Sequence, residues 1–182
     1  MTGIFALLSV VGLVACAAPA LTLGQVAYGG SGCPQGSALV RLVDQTLHVD
    51  FRRFSAGMGG DVPWGQARRF CQVAVQLAAQ DGWQFSVSQA MHSGHLNLTK
   101  EATCDLAVSS YFDAGGPVPV HTMFGGPLDD AFHATSLVDN AQWSECHSTD
   151  ARVSVKTTVQ VVGLASAQVV TGRYAVQQRP CY

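Results

Sequence analysis

The sequence predicts an all-β fold, an antiparallel β-sandwich in a single domain, and three observations carry that prediction. Apolar and polar residues alternate with period two through four separate segments, the pattern of half-buried antiparallel strands. Gly, Pro and Asp punctuate those segments, and no internal repeat, heptad or long helical pattern competes with them. Apolar residues make up 48 % of the 182 and charged residues only 12 %, so the chain has ample surface to bury against its ordering entropy and intrinsic disorder is excluded.

Taken in order, the segments justify themselves locally. After a tight link at Asp44-Gln45, the residues Leu47, Val49 and Phe51 alternate with His48, Asp50 and Arg52. Cys71, Val73, Val75 and Leu77 alternate with Gln72 and Gln76. Asp81-Gly82 is a turn signal, and beyond it Trp83, Phe85 and Val87 alternate with Gln84, Ser86 and Ser88. Val153, Val155, Thr157, Val159 and Val161 alternate with Ser154, Lys156, Thr158 and Gln160 until Gly163 breaks the run. The Gly/Pro-rich stretches from Ser55 to Gly65 and from Ala114 to Pro127 read as long loops. In such a fold, function is expected on the loops.

The N-terminal region addresses the compartment. No charged side chain occurs before Arg41, and an apolar run from Ile4 to Val14 is followed by Ala15-Cys16-Ala17-Ala18-Pro19-Ala20. An apolar core of about 7–15 residues before an A-x-A-like site is the pattern of a secretory signal peptide. The competing reading is a membrane anchor, because the run to Leu23 approaches the roughly 20 residues that span a bilayer. Ser9, Gly12 and Pro19 interrupt it. The expectation is therefore a signal peptide over 1–20, a secreted domain over 21–182 and no stable membrane span once the signal is removed.

Cysteine usage agrees with secretion. Beyond Cys16 stand Cys33, Cys71, Cys104, Cys146 and Cys181, with no C-x-x-C pair to suggest zinc or thioredoxin-like chemistry. In an oxidising compartment four would form two disulfides, leaving one thiol over. Asn97-Leu98-Thr99 is a glycosylation sequon. A formal net charge of −2 offers no basic footprint for nucleic acid.

Six segments together resemble a known family. They are Gly30-Ser31-Gly32-Cys33-Pro34, Arg69-Phe70-Cys71-Gln72-Val73, Gly82-Trp83-Gln84-Phe85-Ser86-Val87, Gly126-Pro127, Trp143-Ser144-Glu145-Cys146 and Arg179-Pro180-Cys181. In this order they are similar to the secreted four-cysteine β-sandwich family of unknown function found in fungi and bacteria. The resemblance covers Gly29 to Tyr182 and implies the pairs Cys33–Cys71 and Cys146–Cys181, with Cys104 as the odd thiol. Where that family usually carries two tyrosines around a glycine, this chain reads His92-Ser93-Gly94-His95.

The chain also resembles, in size, signal peptide and fold class, a branch that acts as hetero-Diels–Alderases in fungal tropolonic sesquiterpene biosynthesis. What that resemblance implies is a cyclase that dehydrates a tropolone precursor to an o-quinone methide and guides cycloaddition onto a sesquiterpene such as humulene. Such a reaction needs an acid, a base and a dry pocket for small apolar or polyketide-derived substrates. His92 and His95 are the candidate proton carriers, with Arg68 steadying an oxyanion and Trp64, Met123 and Phe124 lining the pocket. The His pair reads equally as drift on a polar edge. No metal or organic cofactor is expected, since residues three apart on a strand face opposite ways and His92 and His95 cannot chelate one ion. Asp129-Asp130, Gly57-Met58-Gly59-Gly60 and the other histidines carry no motif of their own. The alternative function is a non-catalytic secreted protein that binds cell wall or carbohydrate. An enclosed apolar pocket beside His92 would favour the cyclase, and a shallow aromatic strip the binder.

Overall fold

The computed structural model describes residues 18–112, 118–138, 142–146, 148 and 150–181. The proposed signal segment falls mostly on 1–17, outside the described residues. Ten strands are found among those described: β1 (Thr22–Gly29), β2 (Ala38–Val43), β3 (Thr46–Met58), β4 (Arg68–Ala78), β5 (Trp83–Leu98), β6 (Thr103–Phe112), β7 (Val120–Gly125), β8 (Leu128–Leu137), β9 (Ala151–Val162) and β10 (Ala165–Pro180). They form two five-stranded sheets in the orders β1-β4-β9-β6-β7 and β2-β3-β10-β5-β8, with antiparallel pairing throughout. The antiparallel sandwich read from the alternation is the observed fold. No helix of the described residues is long and apolar enough to cross a membrane.

Each alternating segment buries the face it promised. Leu47, Val49 and Phe51 on β3, Val73, Val75 and Leu77 on β4, Phe85 and Val87 on β5, and Val153, Val155, Val159 and Val161 on β9 all lie in one core between the sheets. Burying such a side chain is worth about 1.5–3 kcal/mol. The tight link at Asp44-Gln45 is a two-residue hairpin with φ of 45° and 61°, the twist that joins antiparallel strands without splaying them. Cys33–Cys71 and Cys146–Cys181 are both bonded, as the resemblance implies, and each restricts the unfolded chain by about 2–4 kcal/mol. Cys104 is free and buried.

Two stretches read as loops are partly strand. β3 continues through Ser55 to Met58 before the chain turns, and β7 occupies the middle of the Ala114 to Pro127 stretch. β7 is an edge strand of six residues paired only with β6, so its short pattern is masked by the Gly and Pro on either side. The Phe85 strand is longer than its alternation, running unbroken to Leu98 beside β10 and β8. A register shift between Ala175 and Val176 marks where its first alternation loses phase.

The strand passes straight through Gly94 for a steric reason. A Cβ on Gly94 would stand 1.9 Å from the Gln168 carbonyl oxygen and 2.7 Å from the Phe132 ring. Glycine there admits the close approach of β10 and Phe132, and no turn brings His92 and His95 together. We expect Gly94→Ala to destabilise the domain by at least about 3 kcal/mol, measured by urea unfolding. A loss under about 1 kcal/mol would show that β10 does not crowd β5 at this point.

Candidate functional site

β5 sends His92 inward and His95 outward, so alternation sets the two imidazoles on opposite faces of one sheet. His92 is 2 % exposed. Its Nε2 lies 3.0 Å from Thr157 Oγ1 on β9 and 3.1 Å from Tyr174 Oη on β10. Thr157 and Tyr174 are themselves 2.8 Å apart, closing a polar trio that bridges the two sheets. Gly172, paired with His92 across the strands, makes room for it, since the Tyr174 hydroxyl lies 3.0 Å from where a Cβ would stand. Among the described residues, none partners the buried His92 Nδ1. With the ring proton on Nε2, Nδ1 is a bare acceptor, the less costly orphan.

Burial sets the acid–base behaviour of the trio. Desolvation holds His92 down at about 4 and raises Tyr174 to about 12, the latter slightly relieved by the Thr157 hydrogen bond. At neutral pH both groups are uncharged and sealed from solvent. The same applies to Cys104, whose thiol is pushed up to about 12 by burial and the neighbouring Asp105. It is an inert small hydrophobe rather than a nucleophile.

The remaining sequence candidates are dispersed. His95 is exposed, with Nε2 3.5 Å from Asp129 Oδ1. Arg68 lies on the other sheet, and Trp64 is 81 % exposed in a short 3-10 turn before β4. Met123 points outward from β7, whereas Phe124 points inward and meets the Phe132 ring edge-on at 5.3 Å. Arg68 and Met123 do share a register row, Arg68–Gln160–Asp105–Met123. Three strand spacings, about 14 Å, separate them. No common substrate position is formed by these six residues. Asn97, the sequon residue, is exposed on the same outward face as His95.

Two residues that sequence reasoning missed as partners explain His92. Thr157 was visible as the one polar member of an otherwise all-valine inward row. Tyr174 was hidden because a register shift between Val169 and Thr171 breaks the period of β10.

Among the described residues, open depressions mark the outer faces of the sheets. On the outer face of the first sheet, a groove of about 360 Å³ runs between β1 and β4 and is lined by Tyr28, Phe70, Gln72 and Arg152. Phe70 is 39 % exposed, and Lys156 Nζ lies 5.1 Å from its ring centroid. A smaller depression of about 120 Å³ continues it past Gln25, Gln76 and Arg152. Phe70 is held firmly. Its amide donates to Ser31 Oγ, its carbonyl accepts from Gly32 N–H, and the Cys33–Cys71 bridge is adjacent.

The fold and its two bridges define a secreted, disulfide-stapled β-sandwich. The chain belongs to the family described as Domain of unknown function (DUF4360), whose model matches residues 19–179. It is similar to an uncharacterized secreted protein of Arthroderma benhamiae (strain ATCC MYA-4681 / CBS 112371), 31 % identical over 126 residues, covering 66 % of this chain and 51 % of the relative. The chain thus spans about half the length of that curated relative. Among solved structures it is similar to TmCBM61 in complex with β-1,4-galactotriose, at 12 % identity and a TM-score of 0.29, covering 85 % of this chain and 88 % of that one. It is also similar to a family 11 carbohydrate-binding module from Clostridium thermocellum in complex with a β-1,3-1,4-mixed-linked tetrasaccharide, at 8 % identity and a TM-score of 0.27, covering 90 % and 91 %. At these scores neither likeness carries a functional argument.

The depressed His92 makes stability depend on pH with a definite sign. The unfolded imidazole takes a proton near 6.5 and the folded one near 4, so the unfolded state binds more protons in between. Stability is complete above about 6.5 and falls as pH drops towards 4, by about 3 kcal/mol in all. Urea unfolding at pH 7.5 and pH 4 should show the wild type losing about that much more than His92→Leu. Equal losses in both proteins would exclude His92 as the titrating group.

Proposed function

We propose that the protein is a non-catalytic secreted binder of cell-wall polysaccharide, taking neutral sugar units in the groove beside Phe70. The observation that carries this reading is a fixed, part-exposed aromatic ring in an open groove, with amide and cationic side chains beside it. A pyranose offers an apolar C–H face and a rim of hydroxyls. Phe70 suits the first, while Gln72, Gln76, Arg152 and Lys156 suit the second. An open groove also admits a polymer that enters and leaves at its ends, which a closed cavity does not.

The cyclase reading draws no comparable support. Dehydration of a tropolone precursor asks for an acid and a base at one substrate, and His92 is sealed in the core while His95 lies in solvent. Cycloaddition asks for an enclosed apolar cavity, and the groove is open and substantially polar.

The test is binding of neutral β-glucan, galactan and chitin oligosaccharides by calorimetry, with Phe70→Ala beside the wild type. The wild type should bind at least one of them, and the variant about tenfold more weakly, in line with the loss of one aromatic contact. Absence of binding to every oligosaccharide, or undiminished binding by Phe70→Ala, would reject the reading.

A further inference from the structure

The outer face of the second sheet carries a different chemistry. Strand register sets two neighbouring rows across it, Arg41–His48–Arg173–Met91–Thr135 and Leu39–Asp50–Thr171–Ser93–His133. Adjacent members of a row are about 4.8 Å apart, and all of them point away from the core. Asp50 is the acid of these two rows, and it is already bound to Arg41 at 2.5 Å. Arg173 is left uncompensated. It is exposed, and no described residue forms an ion pair or hydrogen bond with its side chain. Arg52 and Arg53 stand exposed where β3 shifts register beside β10. Arg41 and Arg173 therefore lie together on one face of a protein whose net charge is −2, with Arg52 and Arg53 exposed nearby.

Beside Arg173 the face dips into a depression of about 210 Å³ lined by Met91, Ser93, His133, Thr135 and Thr171. Ser93 and Thr171 hydroxyls are 2.6 Å apart on its floor. The hollow is smaller than the roughly 300–1,000 Å³ of a small-molecule site. It suits one sugar unit of a longer polymer.

We propose that this face binds the carboxylate of a uronic-acid polysaccharide, with Arg173 as the anchoring group. The planar guanidinium presents a fork that matches a carboxylate through two parallel hydrogen bonds. Met91 offers an apolar contact to the sugar ring, and the Ser93, Thr135 and Thr171 hydroxyls face its ring hydroxyls. His133 and His48 flank the anchor and add donors. The inference rests on the reading of the protein as a polysaccharide binder but uses the opposite face of the sandwich, so Phe70 takes no part in it.

The probe is a polygalacturonate oligomer set against the same oligomer fully methyl-esterified, which keeps the sugar and masks the charge. The wild type should bind the free acid at least tenfold more tightly than the ester, and added salt should erode the difference. Arg173→Gln should lose that preference, Arg173→Lys should recover part of it, and Phe70→Ala should leave it intact. Arg173 is exposed, so circular dichroism should show each variant folded. Equal affinity for acid and ester overturns the inference, as does an unchanged preference in Arg173→Gln. Binding of a sulfated oligosaccharide with none of polygalacturonate overturns the assignment to a carboxylate. Loss of neutral-oligosaccharide binding in Phe70→Ala bears on the groove alone, so the two readings fail separately.

Discussion

Everything in this molecule follows from the requirement that each strand send every second side chain into a gap about 10 Å wide between two sheets. The inward residues are spent on one apolar core, from Leu47 on β3 to Val176 on β10. The outward residues are free of packing and carry whatever chemistry the surface has. The polar trio inside, His92 with Thr157 and Tyr174, is a structural tie between the sheets. Its cost is visible in the orphaned His92 Nδ1, and its contribution is to fix how β5 and β10 sit over β9.

The same constraint explains what could be read from the chain and what could not. Where a strand is central and regular, as β9 is, its pattern of Val153, Val155, Thr157, Val159 and Val161 announces both the strand and its buried face. Where a bulge shifts the phase, as on β10, the pattern dissolves although the strand is sixteen residues long. Edge strands such as β7 have one neighbour and weaker demands on their sequence. β2, reading Ala38-Leu39-Val40-Arg41-Leu42-Val43, is apolar on both faces except for Arg41, so no alternation marks it. Disulfide pairing became legible only through family resemblance, since cysteine spacing alone leaves the connectivity open.

The candidate site was less legible than the fold. His92 and His95 draw notice because they are titratable and close in sequence, yet three residues on a strand is the wrong interval for cooperation. Opposite faces of β5 hold the two imidazoles apart. Cross-strand neighbours decide what a sheet face can do, and these are remote in sequence: Arg173 is beside His48 and Met91, and Phe70 beside Thr158. Only register brings them into view.

The anchoring of Phe70 reaches beyond its place in the groove. The ring sits beside a covalent bridge, and its own amide and carbonyl are both engaged by the Ser31-Gly32 turn. A platform fixed in this way surrenders almost no backbone freedom when a ligand arrives, whereas a loop that must order itself gives up about 1–2 kcal/mol per residue. In the proposed binding role, the Cys33–Cys71 bridge would act on recognition as well as on folding.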